Sequence, residues 1–153
     1  MDSKCVQWSC IKFEKLTLEE LYAILQLRIE VFIVEQNCPF QDADNKDNKA
    51  HHLMVWKQDT LIAYTRLLPG GVSYKEPSIG RVVTSPKARG EGLGNELMQR
   101  SINECHSLFG KTDIRIGAQL YLKKFYESHG FRQAGPVYDE DGIDHIEMIL
   151  INY

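Results

Sequence analysis

Three glycines stand at alternate positions, Gly90, Gly92 and Gly94, directly after Arg89, inside the stretch VVTSPKARGEGLGNELMQRSI from Val82 to Ile102. A β-branched run precedes them and an amphipathic run follows, so the spacing predicts strand, glycine turn, helix. Backbone N–H groups at such a helix start lack partners, and the helix dipole adds partial positive charge. Arg89 adds a full charge, and the glycines remove side chains that would hold an anion away. The chemistry this suits is capture of a phosphate or pyrophosphate. The alternative is a tight turn that needs glycine torsions. Two common phosphate loops fail by residue. Asn95 follows Gly94 where a Walker loop needs Lys-Ser/Thr, and it also stands where the third glycine of G-x-G-x-x-G would fall.

Groups able to accept a proton are Glu35, His51, His52, His145 and Glu147. His145 and Glu147 share a strand face by alternation. Each alone is more commonly a surface or structural group. His129 in a last helical turn is explained by the helix dipole. The stretch DADNKDNK could suggest calcium, but Lys46 and Asp47 occupy the fifth and sixth positions, where an EF-hand loop needs an oxygen ligand and glycine. It is expected to be a solvated, mobile loop. Cys5, Cys10, Cys38 and Cys105 form no C-x-x-C pair and no His pair completes a zinc spacing, so no metal is expected.

The elements that must position these groups follow from periodicity. CVQWSCIKFEKL has strand composition. Thr17 and Glu20 have capping-box spacing and open an amphipathic helix, TLEELYAILQLRIEVFIVEQ, with Leu18, Leu21, Tyr22, Leu25, Ile29 and Phe32 as its apolar face. HHLMVW and LIAYTRLL read as strands around the turn KQDT. SIGRVVTS is another, with Gly80 marking a bulge or a close backbone approach. Leu93, Leu97, Met98, Ile102 and Cys105 give the next helix one face, and Gly110 ends it. DIRIGA is a short strand, and QLYLKKFYESH a helix closed by Gly130. FRQAGPVY and IDHIEMILI are strands joined at Asp141-Gly142, a strong hairpin signal. The fold class is α/β (α+β), a sheet with helices packed on it.

The 153 residues suit one domain, 1–153. Eighteen Lys+Arg against 21 Asp+Glu give a net charge of −3, which argues against nucleic acid or an anionic membrane as partner. The start MDSKCVQWSC is polar, so no signal peptide is expected. No apolar run approaches a membrane span. Reduced thiols and a cytoplasmic location follow.

VVTSPKARGEGLG resembles the acetyl-coenzyme A loop of the GCN5-related N-acetyltransferase (GNAT) superfamily, Arg/Gln-x-x-Gly-x-Gly/Ala, with Arg89, Gly92 and Gly94 in register and Pro86 where proline is common. QLYLKKFYESHGF is similar to a second family signature through Tyr126, Gly130 and Phe131, and departs from it at Gln119 and Leu122. RIEVFIVEQNCPFQDAD, IGRV, RGEGLG, FYESHGF and VYDEDGIDHIEM together resemble the ElaA-like branch over nearly the whole chain. The resemblance implies a mixed, mostly antiparallel central sheet flanked by helices. It also implies direct transfer of acetyl from acetyl-CoA, the co-substrate, to a small-molecule or peptide primary amine. Arg89, Gly90, Glu91, Gly92, Leu93 and Gly94 would hold the pyrophosphate. Val82, Val83 and Thr84 would lie along the pantetheine, with Gln119 beside it, and Tyr126 would protonate the leaving thiolate. Arg28, Phe32, Glu35 and His145 would border the acceptor. Many relatives are dimers, so a homodimer is an open expectation. Two rivals remain. Arg28 and Phe32, as R-x-x-x-F, also resemble acyl-homoserine-lactone synthases, but no tryptophan follows before Trp56. A non-catalytic acyl-CoA sensor would need the loop but not Tyr126.

Overall fold

Among the described residues the chain forms eight strands, and helices pack against them. The computed structural model describes residues 5–153; residues 1–4, part of the polar start read as carrying no signal peptide, lie outside the described residues. The order is β1 (Val6–Lys12), α1 (Leu18–Arg28), β2 (His51–Lys57), β3 (Thr60–Leu68), β4 (Ser78–Thr84), α2 (Leu93–Phe109), β5 (Ile114–Gln119), α3 (Lys123–Glu127), β6 (Arg132–Gln133), β7 (Tyr138–Glu140) and β8 (Ile143–Leu150). Every ladder is antiparallel. β1-β2-β3-β4 form one sheet and β5-β8-β6 a second, with β7 also paired to β8. The architecture is the expected α/β one, but the sheet divides between β4 and β5. Arg115 N donates to Pro77 O at 3.0 Å where the two strands begin, and no ladder joins them beyond among the described residues.

The division has a local cause. Tyr64 pairs with Val83 and Arg66 with Gly80, so β4 carries one extra residue against β3. Arg81 takes φ +51° to absorb it. Such a bulge bends its strand. The irregularity expected at Gly80 therefore falls one residue later and helps turn β4 away from β5.

Thr17 caps α1 as expected: Glu20 N donates to Thr17 Oγ1 and Thr17 N to Glu20 Oε1. The expected apolar face of this helix is wrong. Ile24, Leu27 and Val31 are buried, together with Arg28, whereas Leu18 is 83% exposed and Tyr22 72%. α1 is apolar nearly all round, so periodicity offered two stripes. The buried one contains an arginine, which hydropathy places outside. After Arg28 the helix widens into a π-helical segment, Ile29–Glu35.

α1 covers one face of the first sheet through Met54 and Tyr64. α2 covers the other through Leu93 and Leu97 against Leu53, Val55 and Ala63, and buries the face predicted for it. α3 is short and ends at Gly130, φ +96°. Phe131 N donates to Tyr126 O and Gly130 N to Glu127 O, the paired bonds that close a helix over a left-handed residue. Asp141 and Gly142 both take positive φ in the β7–β8 hairpin, as their sequence demands. Among the described residues no helix is long and apolar enough to cross a membrane.

Candidate functional site

The divided sheet opens a cleft of about 740 Å³. One wall is the whole of β4, whose edge toward β5 carries backbone groups that no strand among the described residues pairs. Val82, Val83, Thr84, Arg89, Gly94, Gln119 and Tyr126 line it. Val83 turns its side chain into the core, so its backbone alone can face the cleft.

At the end of β4 the chain passes through Pro86–Ala88 into the glycine turn. Gly90 and Gly92 have φ of +88° and +77°, and α2 starts at Leu93. A Cβ at either glycine would meet nothing within 4 Å, and one at Gly94 would touch only the Phe125 ring at 4.0 Å. The turn is thus an open cradle at a helix N-terminus. Gly90, Glu91 and Gly92 are exposed. Leu93 is not a side-chain contact, because it is buried with Leu97 in the core.

Gln119 Nε2 donates to Gln36 Oε1 at 3.2 Å, while its Oε1 is buried without a partner among the described residues. A buried acceptor left unpaired is costly, and an amide N–H beside β5 would satisfy it. Tyr126 is 6% exposed, with its ring edge-on to Phe125 and Phe131. Burial pushes its hydroxyl well above the ordinary tyrosine range. That hydroxyl makes no hydrogen bond with the described residues, so at neutral pH it is a free donor. These features fit acetyl-CoA: an exposed N-terminal cradle for a pyrophosphate, a strand edge and an orphan acceptor for an amide-bearing arm, and a protonated phenol.

The acceptor-side residues divide. Phe32, Glu35 and His145 line the cleft. Glu35 takes both Arg89 Nη groups, at 2.7 and 2.9 Å. His145 Nδ1 lies 2.8 Å from Ile143 O, and Nε2 lies 3.3 Å from Glu140 Oε2.

Arg28 does not border the cleft. It is fully buried, with Nε on Asp42 Oδ2 at 2.9 Å and Nη1 on Asp47 Oδ1 at 2.8 Å. His52 is also buried, between the Tyr64 hydroxyl and Asp47 O. His51 packs against Phe109, and Glu147 lies beside the cleft rather than on its lining.

The loop expected to be solvated and mobile is exposed at Ala43, Asn45, Asn48 and Lys49, but its carboxylates are held by ion pairs. Asp42, Asp44 and Asp47 are ion-paired to Arg28, Arg66 and Arg81. Its acidic groups face guanidiniums from the end of α1 and from β3 and β4, and this ties the loop down beside the cleft. Arg66 and Arg81 were missed, although an arginine inside each of YTRLL and SIGRVV was a visible signal of a buried partner.

Also missed was an aromatic wall. The hydroxyls of Tyr74 and Tyr138 meet over Gly117, where an added Cβ would lie 2.9 and 3.0 Å from them. Tyr138 stacks on His145, ring centroids 5.8 Å apart.

The family model described as acetyltransferase (GNAT) domain matches residues 20–151. Protein ElaA of Escherichia coli (strain K12) is 41% identical over 145 residues, 94% of this chain and 95% of that protein. The crystal structure of an acyl-CoA N-acyltransferase from Pseudomonas aeruginosa superposes with a TM-score of 0.90 at 45% identity, covering 94% of this chain and 98% of that one. The crystal structure of Escherichia coli ElaA gives 0.88 at 40% identity, with coverage of 94% and 98%.

Proposed function

Because the chain belongs to the GNAT acetyltransferase family, we propose that it transfers acetyl from acetyl-CoA directly to a primary amine, with no acyl-enzyme. The observation that carries this reading is the continuity of the unpaired β4 edge with the open glycine cradle at the start of α2. The Pseudomonas relative, described as an acyl-CoA N-acyltransferase, supports the same donor class.

Acetyl-CoA supplies an acetyl group already activated as a thioester. The chain's own residues do the rest. Backbone N–H groups from Arg89 to Gly94 hold the pyrophosphate, helped by the helix dipole. Val82, Val83 and Thr84 pair their backbone with the pantetheine as an added strand would, and Gln119 Oε1 accepts one of its amide protons. The amine loses a proton to a cleft base or to water, attacks the thioester carbonyl, and the C–S bond breaks. Tyr126 gives its hydroxyl proton to the departing thiolate.

Release of free thiol from acetyl-CoA in the presence of an amine panel tests this. Amine-dependent release with a stoichiometric N-acetyl product is expected. Tight acetyl-CoA binding with no turnover on any amine would favour the non-catalytic sensor. The free hydroxyl of Tyr126 beside the donor elements favours the enzyme.

A further inference from the structure

Beyond the donor elements the cleft continues toward the loop before β2, and its wall there is polarised. At the far end Lys46 Nζ donates to Ser73 Oγ at 2.9 Å. Among the described residues no carboxylate pairs with this ammonium. The nearby Asp42, Asp44 and Asp47 are taken up by Arg28, Arg66 and Arg81, three anions against three cations. The positive charge of Lys46 is therefore in excess. Arg66 lines the same end; its side chain is 4% exposed and its Nε is buried without a partner. Two cationic donors, one half-buried and one fully buried, thus keep capacity that the described residues do not use.

From Ser73 the wall runs through Tyr74 to Tyr138 over Gly117, then through the stacked ring of His145 to Glu140. That second end is acidic. It is also the donor end, because His145 pairs in register with Gln119 across β5 and β8. The cleft presents a cation far from the donor, a carboxylate near it, and aromatic surface between.

Resting on the N-acetyltransfer reading, we infer that the acceptor is an amine bearing a carboxylate several bonds from its nitrogen. The carboxylate sits against Lys46 and Ser73, and the nitrogen sits at the His145–Glu140 end. An amino acid with a free side-chain amine has this form, as does an ω-amino acid. The tyrosine pair contacts the spacer between the charges.

The probes are 6-aminohexanoate and n-pentylamine, which share the amine and chain and differ in the carboxylate. Calorimetric titration of the protein without donor reads binding directly, and thiol release reads kcat/KM. The expected result is roughly tenfold or greater preference for 6-aminohexanoate, the usual worth of a hydrogen bond to a charged group. Lys46→Gln should collapse that preference to about threefold or less while acetyl-CoA affinity and Tm stay unchanged, since Lys46 is half-exposed. Equal binding of the two probes overturns the inference, as does no binding of 6-aminohexanoate or a preference that survives Lys46→Gln. Equal acetylation of both probes would leave N-acetyltransfer standing and remove the carboxylate site. Failure to bind acetyl-CoA would remove the transferase reading, while the donor-free titration still decides the site.

Discussion

Glu35 and Arg89, 54 residues apart, form a two-point ion pair at the rim of the cleft, with Arg89 Nη1 and Nη2 donating to the two carboxylate oxygens at 2.9 and 2.7 Å. It joins the end of the π-helical segment to the phosphate cradle. The Arg89 hydrogen bond holds the Glu35 carboxyl below the ordinary range, so Glu35 is ionised at neutral pH and is a poor proton acceptor. It competes with any phosphate for the guanidinium. Both side chains are about two-fifths exposed, so solvent screens the pair and it contributes little. Glu35→Gln should therefore tighten acetyl-CoA binding by at most about fivefold in low-salt calorimetry. Weaker binding would mean that Glu35 helps hold the donor.

Gly92 combines positive φ with open space. Gly92→Val should weaken acetyl-CoA by well over tenfold, because the new side chain projects into the cradle. It should also cost stability of about 1–2 kcal/mol from the left-handed backbone alone. Gly110 closes the other end of α2 with φ +94° and equally open surroundings. Gly110→Ala is the control: it should lower Tm and leave donor affinity untouched. Donor affinity unchanged in a folded Gly92→Val protein would remove the pyrophosphate assignment.

Tyr126→Phe keeps the ring contacts with Phe125 and Phe131 and loses only a hydroxyl that bonds no described residue. Stability and acetyl-CoA affinity should barely change. Turnover should fall by about 10²–10⁴-fold, the worth of a positioned acid. Because burial raises the phenol pKa, the acid form persists across the working range, and the wild-type pH–rate profile should show no basic limb from this group near neutrality. A variant retaining most of its turnover, with chemistry shown to be rate-limiting, would make Tyr126 a packing residue.

Arg28→Ala should be a folding variant rather than an acceptor variant. It takes one of two arginines from the buried carboxylate of Asp42 and from Asp47, which keep Arg81 and Arg66, so the cost should stay below the about 3–5 kcal/mol of a buried pair broken from one side. Denaturant unfolding measures this. A fall in acceptor kcat/KM with unaltered stability would restore Arg28 to the acceptor site.

The strand, glycine turn and helix of the proposed donor wall were legible because they form one continuous segment. Strand composition, alternating glycines and the α2 stripe all sit between Val82 and Cys105, and local rules fix them. The Thr17–Glu20 cap, the Gly130 closure and the Asp141-Gly142 turn were legible for the same reason. The wall proposed for the acceptor was not. Lys46, Ser73, Tyr74, Arg81 and Tyr138 come from four separate segments that only tertiary packing brings together. The face of α1 was misread because burial of Arg28 depends on carboxylates 14 and 19 residues later. Hydropathy alone cannot see that compensation.

Those carboxylates also set an acid limit. Burial pushes the Asp44 carboxyl up, but the hydrogen bond from Arg66 and the charges of Arg66 and Arg81 outweigh it and bring it down from 3.8 to about 2. Asp47 is likewise held low: burial raises it, and Arg28 and Arg66 more than offset that. A carboxyl lower in the folded state than in the unfolded state binds fewer protons when folded. Its contribution is complete above the ordinary value of 3.8 and is lost as pH falls toward the folded value. Wild-type Tm should therefore drop steeply between about pH 4 and pH 2. Asp44→Asn should be less stable at pH 7 and lose less Tm across that window, because one of the titrating groups is gone. Parallel Tm–pH curves for the two proteins would show that Asp44 gains nothing from its arginines.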